Sequence, residues 1–321
     1  MILYQTKKKT LEKKIEINQI FAKPTVSEWV AKINKDLKGA KTADDLHYSI
    51  EEGLAISAIQ AHSPQDFKPI SRNRNHTIAC HIDTREVNCN ANIKSLLNVG
   101  VNTLVIDVYE NVDYAEVLNG VILDYIQVVI CPMEEGAEQK VLCYLKDRGG
   151  DMNKIYSPSS RRKTIHIPFS RSVSDQLAQL LHKVNNNTSD DILLILDGQK
   201  DFLSEIAKIR AGHILLANLN KALNKEIKYR LLSQTKPSSK GVHELIQSSY
   251  MGLAAIIGEA DGIVSVALDS KYKLNAVHTY NLIVMESYIG KVRDPAAGSD
   301  LIEKMTEAIC KKSWAAFIEK V

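Results

Sequence analysis

Short, near-continuously apolar runs recur down this chain, each followed by a stretch of helical periodicity. Nothing else in the sequence restricts the fold so tightly. The runs are TIACHI (77–82), TLVIDV (103–108), QVVICP (127–132), TIHIPF (164–169), DILLILD (191–197), YRLLS (229–233) and IVSVAL (263–268). Helices are expected near 85–98, 113–124, 137–148, 172–184, 200–224, 242–257 and 272–287, with a last long one over 300–319. Strands apolar on both faces and alternating with helices belong to a parallel sheet covered on both sides. Seven such units, with Lys154–Ser157 as a weak eighth strand, predict an α/β fold of the TIM (β/α)8 type rather than an open sheet. The stretch 149–163, GGDMNKIYSPSSRRK, is too short for a strand plus a full helix, so the fourth unit reads as reduced.

Residues 1–75 stand apart from this alternation. Residues 1–23 are a Lys-rich, weakly amphipathic arm, either a frayed terminus or a strap that orders against another chain. Thr25 and Glu28 have capping-box spacing, Trp29, Ile33 and Leu37 share one helical face, and Gly39 is placed to end the helix. LHYSI and LAISAI flank Glu51-Glu52-Gly53 as a short hairpin or extended excursion. Residues 62–75, with Pro64 and Pro69, read as a linker, and residues 76–321 as the barrel.

Lys and Arg total 41 against 38 Asp and Glu, a formal net charge of +3, which implies neither a nucleic-acid nor a membrane partner. No apolar run is long enough to span a bilayer, and the N-terminus lacks a signal peptide's apolar centre, so a cytoplasmic protein is expected. The cysteines, Cys80, Cys89, Cys131, Cys143 and Cys310, are odd in number and scattered without a CxxC pair. They read as reduced thiols, with no zinc site or disulfide framework.

Polar residues at the C-terminal tips of barrel strands are the places to look for chemistry. His81 with Asp83 offers an acid/base pair, although a strand-end histidine is more often simply hydrogen-bonded. His166 is expected to pack beside its neighbours, with no second and third ligand for a metal. Asp107 and Asp197 end their strands, to orient a substrate or to cap the next helices. Arg161-Arg162-Lys163 could meet a phosphate but reads first as a solvated loop. Gly252, Gly258 and Gly262 allow close packing and a tight turn. No GxSxG, Walker loop or GxGxxG occurs.

Three stretches resemble the methylmalonyl-CoA mutase family. PTVSEWVAKINKDLKGAKTADDLHYSIEEGLAI (24–56) resembles the segment before that family's barrel, DFLSEIAKIRAGHILLANL (201–219) its sixth barrel helix, and HTYNLIVMESYIGKVRDPAAGSDLIEKMTEAICKKSWAAF (278–317) its barrel end. The family's Lys-Val-x-Asp-Pro-x-Gly-Gly-Ser segment reads Lys291-Val292-Arg293-Asp294-Pro295-Ala296-Ala297-Gly298-Ser299. The resemblance implies a barrel on whose C-terminal face active members hold adenosylcobalamin, with acyl-CoA threaded along the axis.

Carried over residue by residue, that site is altered. Where active members have Thr-Ile-Arg-Gln-Tyr-Ala-Gly, Ala79, Cys80 and His81 replace the Arg, Gln and Tyr. Where their fifth strand ends Gly-Tyr-His, Pro168, Phe169 and Ser170 stand here. Their carboxylate-binding Arg comes from the unit reduced here, and of Gln-Thr-Ser-Gly-Trp only Gln234 and Thr235 remain. By position Gln234, Thr235 and Glu286 are candidates for cofactor contact. No Asp-x-His-x-x-Gly cobalamin segment occurs, so no cobalamin-binding domain and no cofactor on this chain are expected.

Bacterial members pair a catalytic large chain with a non-catalytic small chain whose barrel interior is filled. The chain resembles that small, pseudoenzyme type. The expected partner is a large mutase subunit in a heterodimer, which the N-terminal arm would wrap. The alternatives are a divergent catalytic barrel served by a separate cobalamin module, and an acyl-CoA-binding barrel without radical chemistry.

Overall fold

The computed structural model describes residues 24–57 and 76–320, so the Lys-rich arm and the whole of the expected linker lie outside the described residues. The chain divides into two compact units: residues 1–48 with 57–62, and residues 49–56 with 63–321.

In the first unit, helix α1 (Val26–Asp36) begins at the expected capping box. The Thr25 hydroxyl accepts the Glu28 N–H at 3.2 Å, and the Glu28 carboxylate accepts the Thr25 N–H at 2.7 Å. Gly39, at φ +78°, takes the left-handed position just beyond the helix. A two-stranded ribbon follows, β1 (His47–Glu51) and β2 (Leu54–Ser57), turning through Gly53 at φ +71°, and its residues 49–56 belong to the second unit.

The second unit is the barrel. Strands β3 (Thr77–Asp83), β4 (Thr103–Val108), β5 (Gln127–Pro132), β6 (Ile155–Tyr156), β7 (Lys163–Ile167), β8 (Asp191–Asp197), β9 (Lys228–Thr235) and β10 (Gly262–Ser265) form one sheet. The spatial order is β6-β5-β4-β3-β10-β9-β8-β7, parallel throughout. The sheet is nearly closed. Its open seam lies between β6 and β7, at the unit that reads as reduced: β6 keeps two residues and residues 157–162 supply no helix. Across that gap the Ser157 N–H donates to the Arg162 carbonyl at 3.1 Å.

The surrounding helices are α2 (Cys89–Asn98), α3 (Tyr114–Val117), α4 (Ala137–Asp147), α5 (Val173–Asn185), α6 (Phe202–Leu223), α7 (Val242–Ile257), α8 (Lys273–Asn281) and α9 (Asp300–Ile318). Three are shorter than the periodicity predicts, α2 because it begins only at Cys89. Helix α3 stops before Gly120, which sits at φ +72°, and α8 passes into a π turn over Leu282–Glu286. Strand β7 ends at Ile167 because Pro168 has no N–H to give the ladder. Helix α6 is buried all round over Ser204–His213, where α9 packs against it as well.

Alternate strand residues face the helices or the axis. Ile78, Cys80 and Ile82 of β3 pack outward with Ile93 and Leu96 of α2. Ala79, Val105, Val129 and Val264 meet Tyr156, Leu193, Ile195 and Leu232 inside the barrel, none more than 2% exposed. The N-terminal end of the axis is closed by Arg230, which donates to Gln127 Oε1 at 2.7 Å and Thr77 Oγ1 at 3.3 Å. All three glycines singled out by sequence sit at close approaches, Gly258 with a Cβ position 3.0 Å from the Ile206 carbonyl oxygen. A Cβ on Gly262 would fall 2.2 Å from the Thr77 carbonyl oxygen, and one on Gly252 2.5 Å from the Tyr280 ring.

Candidate functional site

The C-terminal mouth of the barrel collects the polar strand tips, and the register decides how they pair. His81 lies opposite Val105, so the carboxylate two residues further along β4 is the one in reach. His81 Nε2 is 3.0 Å from Asp107 Oδ1. Asp83, the partner suggested by sequence, turns instead to Arg85, whose backbone N–H and guanidinium both donate to it. Burial would raise the Asp83 pKa, but those donors and the Arg85 charge hold it below the usual carboxylate range. The guanidinium also lies over the Tyr109 ring, 3.6 Å from its centroid.

The same arrangement recurs across the barrel. His166 lies opposite Ile195, and its Nε2 is 2.7 Å from Oδ1 of Asp197, again two residues further on. Gln234 Nε2 donates to the same carboxylate at 2.9 Å, and the Phe169 N–H to its other oxygen at 3.2 Å. Burial pushes the Asp197 pKa up; the hydrogen bond and charge of His166, with the Phe169 N–H and the Lys208 charge, outweigh it and bring the pKa down. His166 does not pack away among its neighbours as its run suggests: 42% of its side chain is exposed. Neither Asp107 nor Asp197 caps a helix; Asp113 and Asp201 do that for α3 and α6.

The positions carried over from the resemblance scatter. Ala79 faces the packed axis, while Cys80 faces the helices, where burial pushes its thiol up to about 12 and keeps it protonated at neutral pH. Phe169 is exposed at the mouth, and the Ser170 hydroxyl is buried without a hydrogen-bond partner. Gln234 joins the Asp197 cluster. Thr235 is turned outward, bonded to the Tyr280 hydroxyl and the Val264 carbonyl. Glu286 lies exposed in the π turn beyond α8, at the opposite end of the barrel from the mouth.

Charged residues inside α6 support the mouth from behind, and the sequence reading did not single them out. Lys208 and Glu205, both fully buried, are 2.7 Å apart. Lys208 donates to the Asp197 carbonyl and Gln176 of α5 to the same oxygen, while Glu205 accepts from Ser233. Further along α6, Arg210 is buried between Asp294 and Glu303, the latter at 2.6 Å. Three charges, Glu205, Lys208 and Arg210, within the mostly apolar first half of α6 were the available signal.

At the barrel seam a cleft of about 890 Å³ is lined by Arg161, Arg162, Lys228, Asp190, Asp191 and Glu226 among others. Arg162 is committed to Asp191 at 2.8 Å and to the Asn153 carbonyl. With its carboxylates matching its cations, the cleft is not built for phosphate. Among the described residues no group of three or more His, Cys, Asp or Glu could hold a metal ion, and no helix is long and apolar enough to cross a membrane.

Residues 186–321 match the methylmalonyl-CoA mutase family model. The match supports a mutase-family barrel for this part of the chain, and it includes the stretches 201–219 and 278–317 but not 24–56. Two curated methylmalonyl-CoA mutases align over 136 residues, that of Rhizobium meliloti at 24% identity and that of Cereibacter sphaeroides at 26%. Each alignment covers 38% of this chain and 19% of the relative. Asp197, Arg210, Gln234 and Asp294 fall within the mutase match; His81 and His166 fall outside it.

Among solved structures the chain is similar to Yersinia pestis DHPS, with a TM-score of 0.37 at 13% identity, over 74% of this chain and 98% of that one. A chitinase domain from Pyrococcus furiosus gives a TM-score of 0.35 at 11% identity, over 67% and 96%. Scores this low carry nothing about function.

Proposed function

We propose that this chain is a non-catalytic barrel subunit that pairs with, and stabilises, a catalytic adenosylcobalamin-dependent mutase chain. One observation carries the proposal: the barrel axis is packed solid. Active members of the resembling family thread acyl-CoA along that axis, whereas here Tyr156, Leu193, Leu232 and Val264 fill it and Arg230 closes its N-terminal end. A ligand chain cannot pass along an axis occupied by these buried side chains.

The donor set at the mouth points the same way. Adenosylcobalamin and an acyl-CoA would need free hydrogen-bonding and charged groups at the matching positions. Ala79 offers none, Cys80 and Thr235 are turned outward, and the Gln234 amide is committed to Asp197. These residues do not fit the cofactor. A divergent catalyst served by a separate cobalamin module needs an open axis, so the packing counts against that alternative as well.

The test is turnover. The purified chain, supplied with methylmalonyl-CoA, adenosylcobalamin and a free-standing cobalamin-binding protein, is expected to form no succinyl-CoA. Product formation above the no-protein control overturns the proposal.

A further inference from the structure

A turn away from the barrel mouth carries chemistry of its own. Asn119-Gly120, between α3 and β5, is the one Asn-Gly pair in the sequence. Both residues are exposed, and Gly120 stands at φ +72°. Glycine has no Cβ to screen its peptide nitrogen, so the preceding carboxamide can approach it. Among the described residues, neither the Asn119 carboxamide nor the Gly120 N–H makes a hydrogen bond.

Two side chains of α2, one helical turn apart, reach this turn. Asn90 Nδ2 donates to the Asn119 carbonyl at 2.9 Å, which polarises the Asn119–Gly120 amide and makes its N–H a readier acid. The Lys94 ammonium lies at Gly120, its Nζ 3.2 Å from where a Cβ would stand. Lys94 has no ion pair among the described residues, so its charge is left to favour an anion forming beside it. The two Asp-Gly pairs, which could follow the same route, are held. The Asp197 carboxylate is committed to His166 and Gln234, and the Gly198 N–H donates to the Gln234 carbonyl at 2.8 Å. Asp261 is buried and accepts the Leu231 N–H at 2.7 Å.

We propose that Asn119 is a site of spontaneous deamidation in the folded chain. The Gly120 nitrogen gives its proton to solvent base and bonds to Asn119 Cγ. The Cγ–Nδ2 bond breaks, and the nitrogen leaves as ammonia with a proton from water, closing a succinimide ring. Water then opens the ring at either carbonyl. Attack at Cγ gives aspartate at this position; attack at the backbone carbonyl, the one Asn90 polarises, gives isoaspartate with the main chain longer by a methylene. Only water is consumed and nothing is oxidised or reduced. The product gains a carboxylate near Lys94, and residues 120–122 next to it line two grooves of about 590 and 310 Å³. That surface therefore changes charge and shape as the protein ages, independently of any partner chain.

The test is incubation of the full folded chain at physiological temperature over a range of pH. Peptide mapping with electron-transfer fragmentation then tells aspartate from isoaspartate. Asn119 should convert ahead of the exposed Asn98, Asn111 and Asn186, with isoaspartate the larger product and a rate that rises with pH. Lys94→Gln should slow conversion by about two- to five-fold, the range of one exposed charge interaction, with the melting temperature unchanged. The proposal is overturned if another asparagine converts first, if aspartate forms without isoaspartate, if the rate ignores pH, or if Lys94→Gln converts as fast as the parent.

Discussion

Asp197 shows how much one strand-end carboxylate can hold. It accepts from His166, Gln234 and the Phe169 N–H, and its carbonyl accepts from Lys208 and Gln176. Asp197→Asn should cost about 1–3 kcal/mol in urea unfolding, because one of the charge-assisted acceptors becomes a donor facing donors. The pH dependence has a definite sign. The folded pKa of Asp197 is lowered, so its contribution is complete above the unfolded carboxylate value of about 3.9 and is lost as pH falls through the lower folded value. The melting-temperature gap between the parent and Asp197→Asn should therefore narrow below about pH 4. Arg210 is the other residue with a large expected effect. Arg210→Met leaves the buried Asp294 and the mostly buried Glu303 without their cation and should cost about 3–5 kcal/mol in urea, with the denaturant slope unchanged.

At the scale of elements, two glycines and a hairpin give the sharpest expectations. Gly262→Ala would drive a methyl into the Thr77 backbone between β10 and β3, where neither strand can give. It should prevent folding or lower the melting temperature far more than Gly252→Ala, whose methyl meets a ring that can shift, at about 1–3 kcal/mol. The β1–β2 ribbon is tied to the barrel through Glu51, which accepts the Ser174 N–H at 3.0 Å at the start of α5 and pairs with Lys312 at 2.9 Å. Glu51→Gln should raise amide exchange at Ser174 without changing exchange in β8.

The strands were legible because apolar runs covered on both faces leave a plain signature: β4, β5 and β8 have the boundaries their sequence runs suggest. The reduced fourth unit was legible from length alone. The mouth was legible only in part. His81, His166, Asp107 and Asp197 were visible as strand-end polar residues, but the pairing of His81 with Asp107 rather than Asp83 depends on inter-strand register. One strand read alone carries no information about that.

At the scale of the whole molecule, the interior of a nearly closed α/β barrel is filled, and the C-terminal part carries both the match to the methylmalonyl-CoA mutase family model and the Arg210 clamp. Such a chain is expected to act through its surface, on a partner. The most direct measurement is native mass spectrometry of this chain affinity-purified from its own cell lysate. An equimolar complex with a large mutase chain is the result the subunit proposal requires. Recovery of this chain alone, or with a free-standing cobalamin-binding protein and no large mutase chain, contradicts it.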